Sequence, residues 1–233
     1  MHQNEAPHVP VVPRPGVLFT LAGGLFVFFV VWSWLVNDGE TIPAFDYRVA
    51  SHWKHFTDTH VNSWKIMQFF TELGGTASLT LLVIVGMFWQ TALQHRFIAL
   101  AWLAIVLGGA VANVICKESF NRTRPPEAMM HSVVHERNLS YPSGHSMGSA
   151  IGFGMLGYVM LLPQRRRARR IITILSIAAV ILMVGFSRMF LRAHWFSDVV
   201  GGWTIGLAWL CFGLGWLERY RRRRVLRAEH RKV

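Results

Sequence analysis

The sequence predicts an all-α, integral membrane bundle of six transmembrane helices. Three observations carry this. The 233 residues are 52% hydrophobic and only 15% charged, against about 25% charged in an ordinary soluble domain. Six apolar runs approach the roughly 20 residues that cross the hydrocarbon of a bilayer as a helix. Lys and Arg gather at one end of those runs, as the positive-inside rule requires.

The elements follow in order. Residues 1–16 are polar and proline-bearing and read as a cytoplasmic stub. The first span, 17–36, is longer than the apolar core of a signal peptide. It also lacks a clear small-residue cleavage site, so it is expected to be retained. Residues 37–73 place Trp53, Trp64, His52, His55 and His60 among apolar positions. They predict an interfacial amphipathic helix with tryptophans at headgroup depth. The histidines read as a solvated polar face rather than ligands. Spans two and three are 74–93 and 97–116. The connection 118–143 has no strong periodicity, and Met129, Met130, His131, His135 and Arg137 are expected to line an entrance. Spans four, five and six are 144–162, 171–190 and 199–217. A basic tail, 218–233, closes the chain, so the domain proper is 17–217. Gly23-Gly24, Gly108-Gly109 and Gly201-Gly202 permit close helix contact.

With the N-terminus cytoplasmic, the inner segments hold fifteen of the 24 basic residues. These are Arg14, Arg96, the arginines of 165–170 and the basic residues of 219–232. Only Glu5, Glu218 and Glu229 accompany them, so the whole net charge of +12 lies on one face. These runs are expected to meet anionic lipid headgroups. Nucleic acid is the poorer partner, because no aromatic or groove-reading pattern accompanies the arginines. Cys116 and Cys211 sit at different depths and read as free, small hydrophobes. No Cys/His cluster has zinc-ligand spacing.

Three polar clusters interrupt the apolar chain. They are Lys117 to Pro125 with Arg124, Pro142-Ser143-Gly144-His145, and Ser187-Arg188 followed by His194 and Asp198. The topology puts all three at the outer membrane surface. Together they offer three cations, a hydroxyl beside a glycine, two histidines and a carboxylate. Phosphoryl transfer without a metal needs such a set. A lone Lys or Arg at a membrane edge is usually a snorkelling anchor, and Arg122 and Arg192 are read as that, as rim or headgroup contacts. That account does not explain three clusters converging on one face.

The pattern K-x6-RP, PSGH and SR-x5-H-x3-D resembles the type 2 phosphatidic acid phosphatase (PAP2) superfamily. It spans residues 117–198, about a third of the chain, with no departure at a motif position. The six-span layout extends the likeness to bacterial membrane members that act on phosphatidylglycerophosphate, phosphatidate or undecaprenyl pyrophosphate. The resemblance implies that His194 is the nucleophile, forming a phosphohistidine, and that Asp198 orients it. His145 is then the general acid and later the base. Lys117, Arg124, Arg188, Ser143 and the Gly144 amide bind the phosphate. No metal and no cofactor is implied. The expected activity is hydrolysis of a lipid phosphate or pyrophosphate monoester at the extracytoplasmic (periplasmic) face of the cell inner membrane, with both termini cytoplasmic. A lipid phosphotransferase using the same phosphohistidine is the alternative. A transporter fits less well, since its polar residues belong near the midplane. A haloperoxidase fits less well again, because the chain is expected to favour lipids.

Overall fold

A computed structural model describes residues 13–37, 42–60, 64–134, 136 and 138–230. Among these residues the chain forms eight helices and no strand: α1 (Pro15–Asn37), α2 (Ala44–Thr59), α3 (Trp64–Leu73), α4 (Thr76–Ala92), α5 (Arg96–Phe120), α6 (Gly144–Leu161), α7 (Arg167–Phe190) and α8 (Phe196–His230). A helix stands at each expected span. Among the described residues, α1, α5, α7 and α8 are each long and apolar enough to cross a membrane. The bent pair α3 and α4, at 46°, is a fifth candidate.

α6 falls outside that group for a physical reason. It begins Gly-His-Ser-Met-Gly-Ser and lies in the middle of the bundle, packed on α4, α5, α7 and α8. A helix shielded by its neighbours need not be apolar all round. The outer faces of the other helices carry the opposite chemistry. Phe26, Val27 and Val31 of α1, Ile84 and Phe88 of α4, Val111 and Ile115 of α5, and Ile172 and Leu175 of α7 are all exposed. Such contiguous apolar surface belongs in lipid, not water. The polar residues point inward instead: Asp46, Ser143, Ser146, Ser149, Ser187 and Asp198 are fully buried.

Several expectations are corrected. Residues 42–73 hold two helices rather than one, and the Trp53 ring packs on Phe186 and Phe190 of α7 at 5.2 and 5.1 Å. α5 does not stop at Lys117. It runs to Phe120 and ends where Asn121 turns left-handed at φ 45°, a conformation Asn tolerates. α8 continues through the basic segment as one helix to His230. No side chain packs close to Gly23 or Gly24, so they make no close helix contact, whereas a Cβ on Gly202 would meet the Ser143 carbonyl oxygen at 2.6 Å. That approach seats the start of α6 directly against the first turns of α8. Cys116 and Cys211 are free.

The helix directions sort the two ends of the bundle. Phe97 at the start of α5 stacks on Tyr220 of α8 at 3.8 Å. Tyr158, near the end of α6, donates to Glu218 of α8 at 2.6 Å. Phe19 of α1 packs on Trp216. The basic runs beginning at Arg96, Arg165 and Arg219 therefore share one end. The end of α5, the start of α6, the end of α7 and the start of α8 share the other.

Candidate active site

Four helix ends present the site, and each end is shaped by its own sequence. α6 opens with Ser143 as its cap, where the Ser146 amide donates to Ser143 Oγ at 3.4 Å and the Ser146 hydroxyl donates at 3.1 Å. With its oxygen thus occupied, the Ser143 hydroxyl keeps its own proton to donate. α7 closes in a Schellman arrangement. The Ala193 amide reaches the Arg188 carbonyl at 3.0 Å, and the Arg192 amide reaches the Met189 carbonyl at 2.9 Å, with Arg192 left-handed at φ 55°. The chain then turns directly into His194. Asp198 sits one turn inside α8 and reaches back to the Trp195 amide at 2.9 Å, the acidic half of a capping box.

His194 is almost wholly buried, and its two ring nitrogens have distinct partners. Nδ1 lies 3.3 Å from Asp198 Oδ2, and Nε2 lies 3.2 Å from Nη1 of Arg124. A guanidinium only donates, so Nε2 carries the lone pair and Nδ1 carries the proton toward Asp198. Burial, and then the charges of Arg124, Arg188 and Lys117, hold the imidazole well below its ordinary pKa and therefore neutral. This is the tautomer a nitrogen nucleophile needs.

The cations surround that nitrogen. Arg124 also donates to the Asn138 carbonyl at 2.7 Å and the Ala193 carbonyl at 2.6 Å. Arg188 donates to Thr71 of α3 at 2.6 Å, and its buried Nε has no partner among the described residues. Lys117 donates to the Leu139 carbonyl. The carboxylate of Glu136, in the 121–143 connection, lies among these groups. It pairs with Arg124 at 2.7 Å and with Arg188, and stands 3.8 Å from His145 Nδ1 and 4.0 Å from His194 Nε2. Burial pushes its carboxyl up, but Arg188 and Arg124 outweigh that and hold it below the usual carboxylate range. A charged carboxylate thus occupies the point on which two guanidiniums and two imidazoles converge.

Two cavities meet at this point. One, of about 650 Å³, runs between α4, α5 and α6. It joins Leu79, Val83 and Leu107 to Lys117, His145 and His194. The other, about 260 Å³, is lined by Gln68, Thr71, Glu72 and Arg188. Glu136 and His145 line both. Gly74, in the bend between α3 and α4, sits against the His145 ring and Val184, with no room for a Cβ.

All eight residues singled out in the sequence lie at this end of the bundle. Lys117, Arg124, Gly144, His145 and His194 line the larger cavity and Arg188 the smaller. Ser143 and Asp198 are buried behind them. Arg122 and Arg192 are not rim contacts. Both are buried: Arg122 pairs with Asp46 and Asp198, and Arg192 donates to Thr57 at 2.7 Å and to the Met129 carbonyl. Met129, Met130 and His131 line neither cavity; the His131 amide instead ties the connection to the Leu191 carbonyl at 3.1 Å. His135 and Arg137 lie outside the described residues. Sequence reasoning missed Glu136, Ser140, Asn138, Thr71 and Asp46. Glu136 is the one acid between residues 128 and 142, a lone negative charge between two cationic clusters, and that was its available signal.

Residues 97–222 match the PAP2 superfamily. Phosphatidylglycerophosphatase B of Bacillus subtilis is 27% identical over 203 residues, covering 85% of this chain and 95% of that protein. A PA-phosphatase related-family protein of Dictyostelium discoideum is 36% identical over 80 residues, 32% of this chain and 22% of that one. The crystal structure of a transmembrane PAP2 type phosphatidylglycerolphosphate phosphatase from Bacillus subtilis superposes with a TM-score of 0.73 at 25% identity, covering 85% of this chain and 96% of that one. With more than half its length inside the family match and both cationic clusters gathered around one buried histidine, the chain belongs to the PAP2 superfamily.

Proposed function

We propose that this multi-pass membrane phosphatase hydrolyses a phosphate or pyrophosphate monoester of a membrane lipid through a phosphohistidine. The observation that carries the reading is the convergence of Arg124, Arg188, His145 and His194 on the single carboxylate of Glu136. A site that holds a carboxylate with two guanidiniums is built for an anion, and the phosphoryl group of the substrate takes its place.

In the first step His194 Nε2 attacks phosphorus. The bond from phosphorus to the lipid oxygen breaks, and His145 gives that oxygen a proton. In the second step water attacks the phosphohistidine. His145 takes the water's proton, the P–N bond breaks and phosphate leaves. The cycle requires His194 neutral and His145 protonated once substrate is bound, and the phosphoryl dianion entering beside His145 favours that proton. Asp198 holds the His194 proton on Nδ1 throughout. Arg124, Arg188, Lys117, Ser143 and the Gly144 amide carry the charge of the equatorial oxygens.

The larger cavity gives the acyl chain a path from between α4, α5 and α6 while the headgroup reaches the cations. Phosphatidylglycerophosphate is the first substrate to try, on the names of the relatives, followed by phosphatidate and undecaprenyl pyrophosphate. We place six spans in the inner membrane, with both termini cytoplasmic and the site extracytoplasmic. The arginine-bearing end of the bundle supports this orientation and meets anionic headgroups.

The test is phosphate release by purified protein in detergent with EDTA present, across those three lipids and one water-soluble ester. Release from lipid with EDTA present is expected, and His194→Ala is expected to abolish it. Substantial turnover by the variant would refute the nucleophile assignment. Labelled phosphate appearing on an added lipid or sugar rather than in water would favour the phosphotransferase.

A further inference from the structure

The charges behind His194 do not end at Asp198. Asp198 Oδ2 receives Ser140 Oγ, the Trp195 amide and His194 Nδ1, and its Oδ1 receives Arg122 Nη1 at 2.8 Å. The other arm of the same guanidinium, Nη2, meets Asp46 Oδ2 at 2.9 Å. Ser197 closes the group. It receives Arg122 Nη1 at 2.6 Å, and donates its amide to Asp46 Oδ1 at 3.0 Å and its hydroxyl to Asp46 Oδ2 at 2.5 Å. Asp46 and Asp198 are fully buried, and Arg122 nearly so. The result is a continuous row, Asp46–Arg122–Asp198–His194, running from α2 to the reacting nitrogen.

We propose that Asp46 and Arg122 are positioning residues, acting on the reaction through Asp198 to hold the His194 Nδ1 proton and aim Nε2. Asp46 lies outside the stretch that matches the family, and α2 thereby becomes part of the catalytic unit. The argument is one of charge and geometry. A buried carboxylate needs a buried cation, and a cation shared by two carboxylates in a fork geometry has its plane fixed at both ends. Arg122 so fixed leaves Asp198 one orientation, in which Oδ1 is spent on the guanidinium and Oδ2 faces the histidine. Without Asp46, Arg122 loses one anchor and pairs with Asp198 alone, so its charge is no longer shared and its pull falls on that one carboxylate. The carboxylate is then drawn from the imidazole proton. The phosphate cations Lys117, Arg124 and Arg188 are untouched by this change.

The proposal rests on His194 being the nucleophile, and its test separates the two. Asp46→Asn, Asp198→Asn and the double variant are purified in detergent, checked for folding by thermal unfolding, and assayed for kcat, KM and inhibition by inorganic phosphate. Asp46→Asn is expected to lower kcat about tenfold, in the range typical of groups that orient a ligating or reacting histidine. KM and the inhibition constant of inorganic phosphate are expected to stay within about twofold, because ground-state anion binding is untouched. In the Asp198→Asn background the same change is expected to have no further effect on kcat, since its route to the histidine is already cut. An unchanged kcat in Asp46→Asn, or an equal tenfold loss in both backgrounds, overturns the proposal in favour of a purely structural cap for α8. Full activity in Asp198→Asn breaks the row at its last link and also overturns the proposal, whereas the nucleophile itself stands or falls with the His194→Ala assay. Should Asp46→Asn fail to fold, Ser197→Ala removes only the bridging hydroxyl and enters the same cycle, with an expected threefold loss that likewise vanishes without Asp198.

Discussion

Nη2 of Arg124 lies 2.7 Å from Oε2 of Glu136, and this ion pair stands within reach of both imidazoles. On the mechanism proposed above, the enzyme's own carboxylate holds the position the phosphoryl group enters. Substrate has to displace it, and every anion that binds competes with it. Replacing Glu136 with Gln keeps the shape and removes the charge. We expect orthovanadate to inhibit Glu136→Gln about tenfold more tightly, equivalent to about 1.4 kcal/mol. Weaker inhibition than in the native enzyme would show that the carboxylate assists anion binding rather than opposing it.

This pair also marks where sequence reading stops. The motif residues were legible because each is a charged or hydrogen-bonding group at a helix end in an otherwise apolar chain, at fixed spacing from its neighbours. Lys117, Ser143, Arg188 and His194 could be placed on one face from helix direction alone. Glu136 could not, because the 121–143 connection has no period to fix which side chains turn inward. Arg122 is a related case. An arginine two residues from Arg124 in a connection carries no sign of whether it turns outward or in, and its partner Asp46 lies 76 positions away. The span count shows a different limit. Mean hydropathy identifies helices that touch lipid, and α6 is enclosed by protein.

Arg124 and Arg192 share a residue type and the same end of the bundle but not a role, and substitution should separate them. Arg124 uses its planar fork on Glu136, two carbonyls and His194 at once. A lysine cannot reproduce that geometry, so Arg124→Lys is expected to lower kcat/KM by about 10²-fold or more, with little change in stability. Arg192 ties Thr57 of α2 and the Met129 carbonyl to the end of α7. Arg192→Ala is expected to cost about 1–3 kcal/mol of stability, while phosphate release per folded molecule stays near native. Steady-state assays on material quantified for folded fraction decide both. A catalytic loss in Arg192→Ala larger than the loss in folded protein contradicts the division.

The neutral state of His194 has a signature in stability. Burial and the neighbouring cations depress its pKa in the folded protein, whereas in the unfolded chain it titrates near 6.5. Below that pH the unfolded state binds more protons than the folded one. The stability His194 contributes is therefore fully present above pH 6.5 and declines as pH falls toward the depressed folded value. Thermal unfolding in detergent should show wild type losing stability between pH 7.5 and 5.5, and His194→Gln losing less over the same interval. Identical pH dependence in the two proteins would mean that the histidine takes up its proton alike in the folded and unfolded chains, against the depression drawn from its burial.

The last prediction concerns the path of the lipid. The larger cavity continues from His145 and His194 along α5 past Asn113, Ala110 and Val106, facing Leu79 and Val83 of α4. Ala110 is the smallest side chain with an exposed face on that wall, and it is remote from the cations. Phenylalanine there adds bulk to an open cavity rather than to a packed core, so overpacking strain is small. It obstructs an acyl chain but not a phosphate arriving from water. Ala110→Phe is expected to raise KM for a long-chain lipid phosphate at least about fivefold, while kcat/KM for a water-soluble phosphate ester stays within about twofold, since uniform binding of the tail alone is lost. Parallel loss on both substrates would mean that the substitution disturbs the catalytic groups. Unchanged KM for the lipid would mean that the chain enters elsewhere, the smaller cavity beside Thr71 and Glu72 also reaching His145.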